Sequence, residues 1–538
     1  MSVYISATNE DKGSISYSHD SGVYAQDQLV VTLSAPEGCT IAFTTDGRIP
    51  TAREDCGLQE VDIVLEDGGT GYLIRNRDRM VYPDLSRSFL LDDPTLPSGR
   101  VLRACTISPS GEAGEPDTKV YFLNKDFHRL FPGCLVLSIT ADPDDLLDYE
   151  HGILAAGAFY DTWKQTSEAQ EHISRSESWL FQSNITQRGR AWERPCRLQI
   201  YDGGDIPTAE VSAGIRVTGS VSRGENQKSF NIYFRKAYGS KYLDYELFPG
   251  VSHLRSFRLV AGGNNTEWLK FKEAFLQELV GDRHFTHIRF RPAVLFLNGE
   301  YWGPYLLSEK VSPQMLHDHH GVDTDQVVLV KEGKRKEGSE QDILLYKDLM
   351  SYAQKDLSDP DTWKEFCRAM DIRSMADYCA ARIYIGDFDW WPEKNDILWR
   401  TRDTSFNEGR WQYILYDVDF SSGLYDDERT APEIDHFRLA AKRYPLFAAA
   451  LHNQEFYTLF LTSLREIGKV NCSRIRVLWL LRRYVRRWTP LMPDYYKRFG
   501  DRHNLWRIAL KNTVRFFMKR YRILLARVLE ERETGAEE

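Results

Sequence analysis

Asn298 and Gly299 stand between two apolar runs, residues 293–297 and 301–307. That pattern permits little except a tight β-hairpin. Asn-Gly is the pair best able to supply the two positive-φ positions of a type I′ turn, and the flanking strands bury their apolar side chains. The hairpin fixes a sheet near the middle of the chain. It runs on into Glu309 and Lys310, two charged residues just past a buried strand, where a chain often lines a cleft.

A chain of 538 residues is too long for one core and suits two to four domains. Residues 1–125 read as all-β, with alternating stretches such as 29–33 and 41–45 set between Gly, Pro and Asp. Asp46-Gly47 after a strand marks a tight turn. With Val101-Leu102-Arg103-Ala104 and Val120-Tyr121-Phe122, this part resembles the small β-sandwich at the C-terminus of chitobiases and hexosaminidases, which implies an accessory module. Residues 53–95 read as an irregular insertion in it. From about 130 the texture is mixed, with strands expected at 134–139, 196–201 and 229–234. Helical periodicity appears at 268–280 and 375–383 and dominates after 433, with Pro445 at a helix boundary. The expected class is α+β: an all-β sandwich (1–125), a mixed α/β part (130–310) and a mostly helical part (311–530).

The opening residues lack a basic n-region and an apolar h-region, and no apolar run approaches the ~20 residues of a membrane span. The eight cysteines are scattered without a Cys-x-x-Cys pair, so the expectation is a cytoplasmic chain with free thiols, no membrane span and no membrane among its partners.

Three further stretches carry chemistry. In 384–399 a helix leads into a loop with Asp387, Asp389 and Asn395, and a strand leaves at Ile397. Phosphoryl transfer needs a carboxylate to orient or deprotonate a hydroxyl and oxygen ligands for Mg²⁺ close by, and an Asp followed by an Asn has that form. The strand 411–416 ends in Asp417-Val418-Asp419; if extension persists, both carboxylates face one side and call for a cation between them, although alone the motif suits a pair of solvated loop acids better. In 218–230 a Gly- and Ser-rich turn containing Gly219 and Arg223 precedes Lys228 and a strand; alone it suits an ordinary hairpin turn better than a phosphate loop. Together the order is basic strand, helix, hairpin, Asp…Asn loop, Asp-x-Asp strand, which is the order of parts in a protein kinase.

Residues 472–529 hold sixteen Lys and Arg against two Asp and Glu. A solvated helix face explains this better than attraction of an anionic substrate or nucleotide does. The apolar period through Leu505, Phe517, Leu524 and Val528 reads as a packed helix before it reads as a nucleic-acid surface.

The stretches 219–234, 298–311, 389–400, 411–420 and 446–464 resemble the CotH (spore coat protein H-like) kinase family, over about 134–528. The resemblance implies an atypical protein-kinase-like fold, ATP and Mg²⁺ (or Mn²⁺) as cofactors, and phosphorylation of Ser on a protein such as a Ser-rich spore-coat protein, with spore association. Under it Asp389 is the catalytic carboxylate, Lys228 contacts the ATP phosphates, and Asn395 and Asp417, with Asp419 beside it, hold metal. Gly219, Arg223 and Glu309 belong to the nucleotide side. Glu273 is the candidate partner of Lys228 from element order alone. Asp387 competes with Asp389 for the catalytic role, and the principal ligand of Asp417 and Asp419 stays open. The alternatives are a binding or adhesion protein on a kinase-like scaffold, and a phosphoryl or nucleotidyl transferase acting on a non-protein acceptor.

Overall fold

The computed structural model describes residues 14–68, 71–82, 90–124, 126–500 and 503–535. The chain start and residues 83–89 of the expected insertion lie outside these. The chain forms two compact units, one of residues 1–244, 292–305 and 490–501, the other of 245–291, 306–489 and 502–538.

The first unit begins with two small sheets. Gln28–Ser34 pairs along its whole length with Glu60–Glu66 and also with Ser16–Tyr17. The second sheet has the order Gly22–Tyr24, Asp117–Leu123, Arg100–Ile107, Thr40–Thr44. Alternation does the sorting: Leu29, Val31 and Leu33 are buried, as are Ile63 and Leu65 opposite, and both sets share a core with Ile41, Leu102, Ala104, Tyr121 and Leu123. The stretch 53–95 is therefore not an insertion throughout. Glu60–Glu66 is a full strand of the fold, and apolar Val64 on its solvent face interrupts its period of two.

The same unit supplies most of a closed seven-stranded barrel, which the sequence did not foresee. Ala209–Thr218 pairs antiparallel with both Ser229–Tyr233 and Arg194–Tyr201, the latter with Leu135–Thr140. Leu135–Thr140 then runs parallel to Phe290–Leu297, joined through Leu135↔Ala293 and Ile139↔Leu297. The expected hairpin joins Phe290–Leu297 to Glu300–Ser308, with φ of 50° at Asn298 and 77° at Gly299. The Asn298 side chain also clamps Ala141, accepting from its N–H and donating to its carbonyl, both at 2.9 Å.

The second unit is built round a four-stranded antiparallel sheet in the order Lys334–Glu337, Val327–Lys331, Ile397–Thr401, Gln412–Tyr413. Helices surround it. Ile372–Ile385 starts at Asp371, whose carboxylate accepts from the N–H groups of Arg373 and Ser374, and ends at Gly386 in the left-handed conformation. Twelve of its fourteen residues are buried, so it runs through the core and not along the surface. Lys272–Val280 is likewise buried nearly all round, Lys272 included. Pro445–Leu451 opens at the expected boundary and Gln454–Glu466 follows it, and the helices Arg474–Trp488 and His503–Gly535 hold most of the basic residues of 472–529.

Candidate functional site

Loop 386–396 leaves the central helix at Gly386 and enters the strand Ile397–Thr401. One fully buried guanidinium organises it. Arg382, in the last turn of the helix, forms an ion pair with Asp387 and donates to the carbonyls of Asn395 (2.8 Å) and Tyr416 (2.6 Å). It thus ties together the start of the loop, its end, and the residue before Asp417. Burial pushes Asp387 up to about 6 while Arg382 favours its charged form. The second Asp387 oxygen accepts from the Asp389 N–H at 3.2 Å. Both oxygens of Asp387 therefore serve the loop itself.

Asp389 differs. Its side chain is 31% exposed, and its nearest polar neighbours are Lys394 Nζ and Asn395 Nδ2, each at 3.4 Å. Asn395 Nδ2 donates better to the Asp389 carbonyl, at 3.0 Å. Asn395 has φ of 55°, which turns its side chain back onto the loop. Next to it, buried Asp396 accepts from the hydroxyls of Tyr378 (3.1 Å) and Tyr444 (2.9 Å) and anchors the loop to the core.

The Asp-x-Asp segment departs from expectation. The strand proper is Gln412–Tyr413, followed by a single bridge from Ile414 to Thr286. Asp417 sits at φ 56°, so the chain is not extended there and alternation does not set the two carboxylates. They are set by other residues. Asp419 Oδ2 accepts from the Asn264 N–H and Oδ1 from the Asn264 side chain, both at 2.8 Å, while Asn265 Nδ2 donates to the Asp419 carbonyl at 3.0 Å. Glu273 reaches the same place: its Oε2 accepts from the Val418 N–H at 2.8 Å and its Oε1 from Gln277 at 3.0 Å. Burial, then the charges of Asp417 and Asp419, push Glu273 up to about 8; burial and Asp417 push Asp419 up to about 7. Beside them Lys272 is held down to about 7 by burial, and its ammonium donates to the carbonyls of Ser421 (2.6 Å) and Ser422 (3.1 Å). Asp417 makes no hydrogen bond or ion pair among the described residues.

The remaining predicted residues have defined surroundings of their own. In the first unit, Gly219 (φ 115°) opens the connection after Ala209–Thr218. Arg223 is buried there, donating to the carbonyls of Gly219 (2.9 Å), Ile185 (2.6 Å), Gln187 (3.0 Å) and Val217 (2.9 Å). Lys228, held down to about 8 by burial, donates to the carbonyls of Arg223 (2.8 Å) and Glu225 (2.5 Å). In this conformation both cations stabilise the turn's own backbone. Glu309, in the second unit, is buried; its Oε2 accepts from the Arg289 N–H and faces His319 Nε2, both at 2.8 Å. It borders a small pocket with Arg255, Lys310, Gln314 and Asp318.

Whether the acids fit a divalent metal can be judged from their donor set. Among the described residues no three His, Cys, Asp or Glu side chains converge to hold a metal by themselves. Asp417 and Asp419 form a smaller carboxylate pair; burial first, and after it the charges of this pair, raise Glu273 and Asp419, and a cation there would relieve the charge part. Mg²⁺ is commonly held by one or two carboxylates with water and substrate phosphates completing the shell. The set fits that mode and not an all-protein cage.

Sequence reasoning missed Arg382, Lys272 and Asn264. Arg382 lies ten residues into a helical period, and nothing local marks it as buried. Asn264 binds Asp419 across 155 positions of sequence.

Compared with known proteins, the chain matches the family described as CotH kinase protein over residues 215–523. No curated protein matches it. The family match spans more than half of the 538 residues and takes in the Arg382–Asn395 loop and the Asp417–Asp419 segment, and the chain belongs to the CotH kinase protein family.

Proposed function

We propose that this protein is an ATP- and divalent-metal-dependent protein kinase of atypical fold that phosphorylates Ser on a protein acceptor. The observation that carries this reading is the division of labour between Asp387 and Asp389. One carboxylate is buried against Arg382; the other, two residues on, is partly open to solvent and only loosely held. A carboxylate available in this way can accept a proton from a hydroxyl and orient it for in-line attack. Asn395 and Asp417, joined through Arg382 by way of their own or the preceding carbonyl, and Asp419, fixed by Asn264, would hold the metal. Mg²⁺ or Mn²⁺, when bound, supplies charge neutralisation at the transferred phosphoryl group. Lys228 would serve the nucleotide phosphates by exchanging its carbonyl partners for phosphate oxygens. Glu273 stays with Val418 and Gln277, where it positions the Asp417–Asp419 segment.

The test is incubation of the full chain with labelled ATP, Mg²⁺ or Mn²⁺, and a Ser-rich acceptor. Phosphoserine should form and should be lost in Asp389→Ala. Labelling that survives this substitution refutes the assigned base. Transfer of AMP in place of phosphate favours the nucleotidyl-transfer alternative.

A further inference from the structure

The helix Arg474–Trp488 carries an outward face unlike the rest of the surface. Val477, Leu480, Leu481 and Trp488 turn inward. On the opposite side Ile475, Trp479, Arg482 and Arg486 follow one another at helical spacing and share one face. Ile475 is 84% exposed and Trp479 59%, and Val470, just before the helix, is 55% exposed. So much projecting apolar surface on one short element exceeds the scattered exposed side chains of an ordinary surface.

The charges sort with equal clarity. Two arginines of the helix are neutralised: Arg476 pairs with Asp282 and Arg483 with Glu278. Arg474, Arg482, Arg486 and Arg487 are exposed and make no ion pair among the described residues. The face thus presents apolar side chains at one end and uncompensated positive charge along the rest. Its shape matters as well. It is the convex side of a single helix, whereas helix- or strand-shaped peptides are usually bound in grooves or at sheet edges. A flat anionic lipid surface needs no groove. Trp and branched aliphatics enter the headgroup boundary, and arginines meet the phosphates.

We propose that this helix face is a docking surface for an anionic phospholipid membrane, through which the protein associates peripherally. No helix among the described residues is long and apolar enough to cross a membrane, and a surface contact requires none. Each arginine near an anionic surface strengthens binding about five-fold at low salt, and added salt screens the effect.

Co-sedimentation of the full chain with vesicles tests this. Phosphatidylcholine vesicles containing one-fifth phosphatidylserine should retain the protein at low salt, and phosphatidylcholine alone should not. Arg482→Glu/Arg486→Glu should weaken retention by at least about twenty-five-fold. Ile475→Ser/Trp479→Ser should weaken it while leaving its salt dependence in place. The charge-matched control Lys334→Glu/Lys336→Glu, on another exposed segment, should bind as the parent does. Unchanged helicity by circular dichroism confirms that the variants are folded. Failure of the parent protein to bind anionic vesicles overturns the proposal, as does equal retention on neutral vesicles or equal loss in the control. Retention of poly-glutamate with indifference to vesicles also overturns it and assigns the face to an acidic protein partner.

Discussion

Asp387→Ala and Asp389→Ala should fail in different ways, although the positions are two residues apart. Removing the Asp387 carboxylate leaves the Arg382 guanidinium fully buried without its counter-ion. Breaking one side of a buried pair costs about 3–5 kcal/mol. The Asp389 N–H also loses its acceptor, but it lies near solvent and adds little. Asp389→Ala removes contacts of 3.4 Å from a side chain that is about a third exposed, worth under about 1 kcal/mol after solvent screening. Its cost appears in chemistry, where a positioned base contributes about 10²–10⁴-fold. The assay pairs urea unfolding, followed by far-ultraviolet circular dichroism, with phosphoryl transfer on the same preparations. Asp387→Ala should shift the midpoint down by about 0.6–1 M, taking a denaturant slope somewhat above the ~3 kcal/mol/M of small proteins, since the slope grows with the surface exposed. Asp389→Ala should leave the midpoint within a few tenths of a molar and abolish transfer. Equal destabilisation by both refutes the reasoning. So does an Asp387→Ala protein that is stable but inactive beside an active Asp389→Ala protein, because the roles would then be exchanged.

Glu273 gives a pH signature. Its folded value, raised to about 8, exceeds the ordinary ~4.3 of the unfolded chain, so the stability it allows is complete below about pH 4 and declines as pH rises through 8. Asp419 acts in the same direction, while half-buried His320 and buried His436, held down to about 4 and about 3, act oppositely below about pH 6.5. The difference between parent and Glu273→Gln isolates the one group: between pH 5 and 7 the variant should lose less stability, by up to ~1.4 kcal/mol per pH unit, and an identical slope in both counts against a buried carboxyl there. Gly263→Ala places a methyl group 2.3 Å from Asp419 Oδ2 on a backbone of φ 56°. It should raise the Mg²⁺ concentration for half-maximal transfer several-fold, read from metal titration, with a stability loss of about 1–2 kcal/mol. Lys228→Met should raise KM for ATP at least tenfold, and unchanged kinetics would restrict Lys228 to holding the Arg223 and Glu225 carbonyls.

Local signals in the sequence located their elements well. Asn298-Gly299 takes the turn that its residue types demand, Pro445 opens a helix, and the strands near 135, 196 and 229 lie within two residues of expectation. Each is governed by neighbours within a few positions. The candidate site obeyed the same limit. Asp389 and Asn395 are joined within one loop, as their spacing suggested. Extension does not persist through Asp417, because alternation in 411–416 carries no notice that the next residue turns left-handed. Arg382 and Asn264 act across the fold, so their roles appear only when distant segments are brought together. Glu60–Glu66 shows the converse: Val64, apolar yet on the solvent face, masks an otherwise alternating strand.

The positive φ values at Asn395 and Asp417 have a consequence for how such chains diverge. Asn and Asp are, after Gly, the residues that most readily accept a left-handed backbone. The two positions would therefore retain these residue types for conformational reasons even in a descendant that no longer transferred phosphate. Asp389 has no such backbone demand, since its φ is not positive. Among relatives of this protein, decay of catalysis should be written first at Asp389, with the Asn and the first Asp of the Asp-x-Asp pair surviving as relics of the loop's shape.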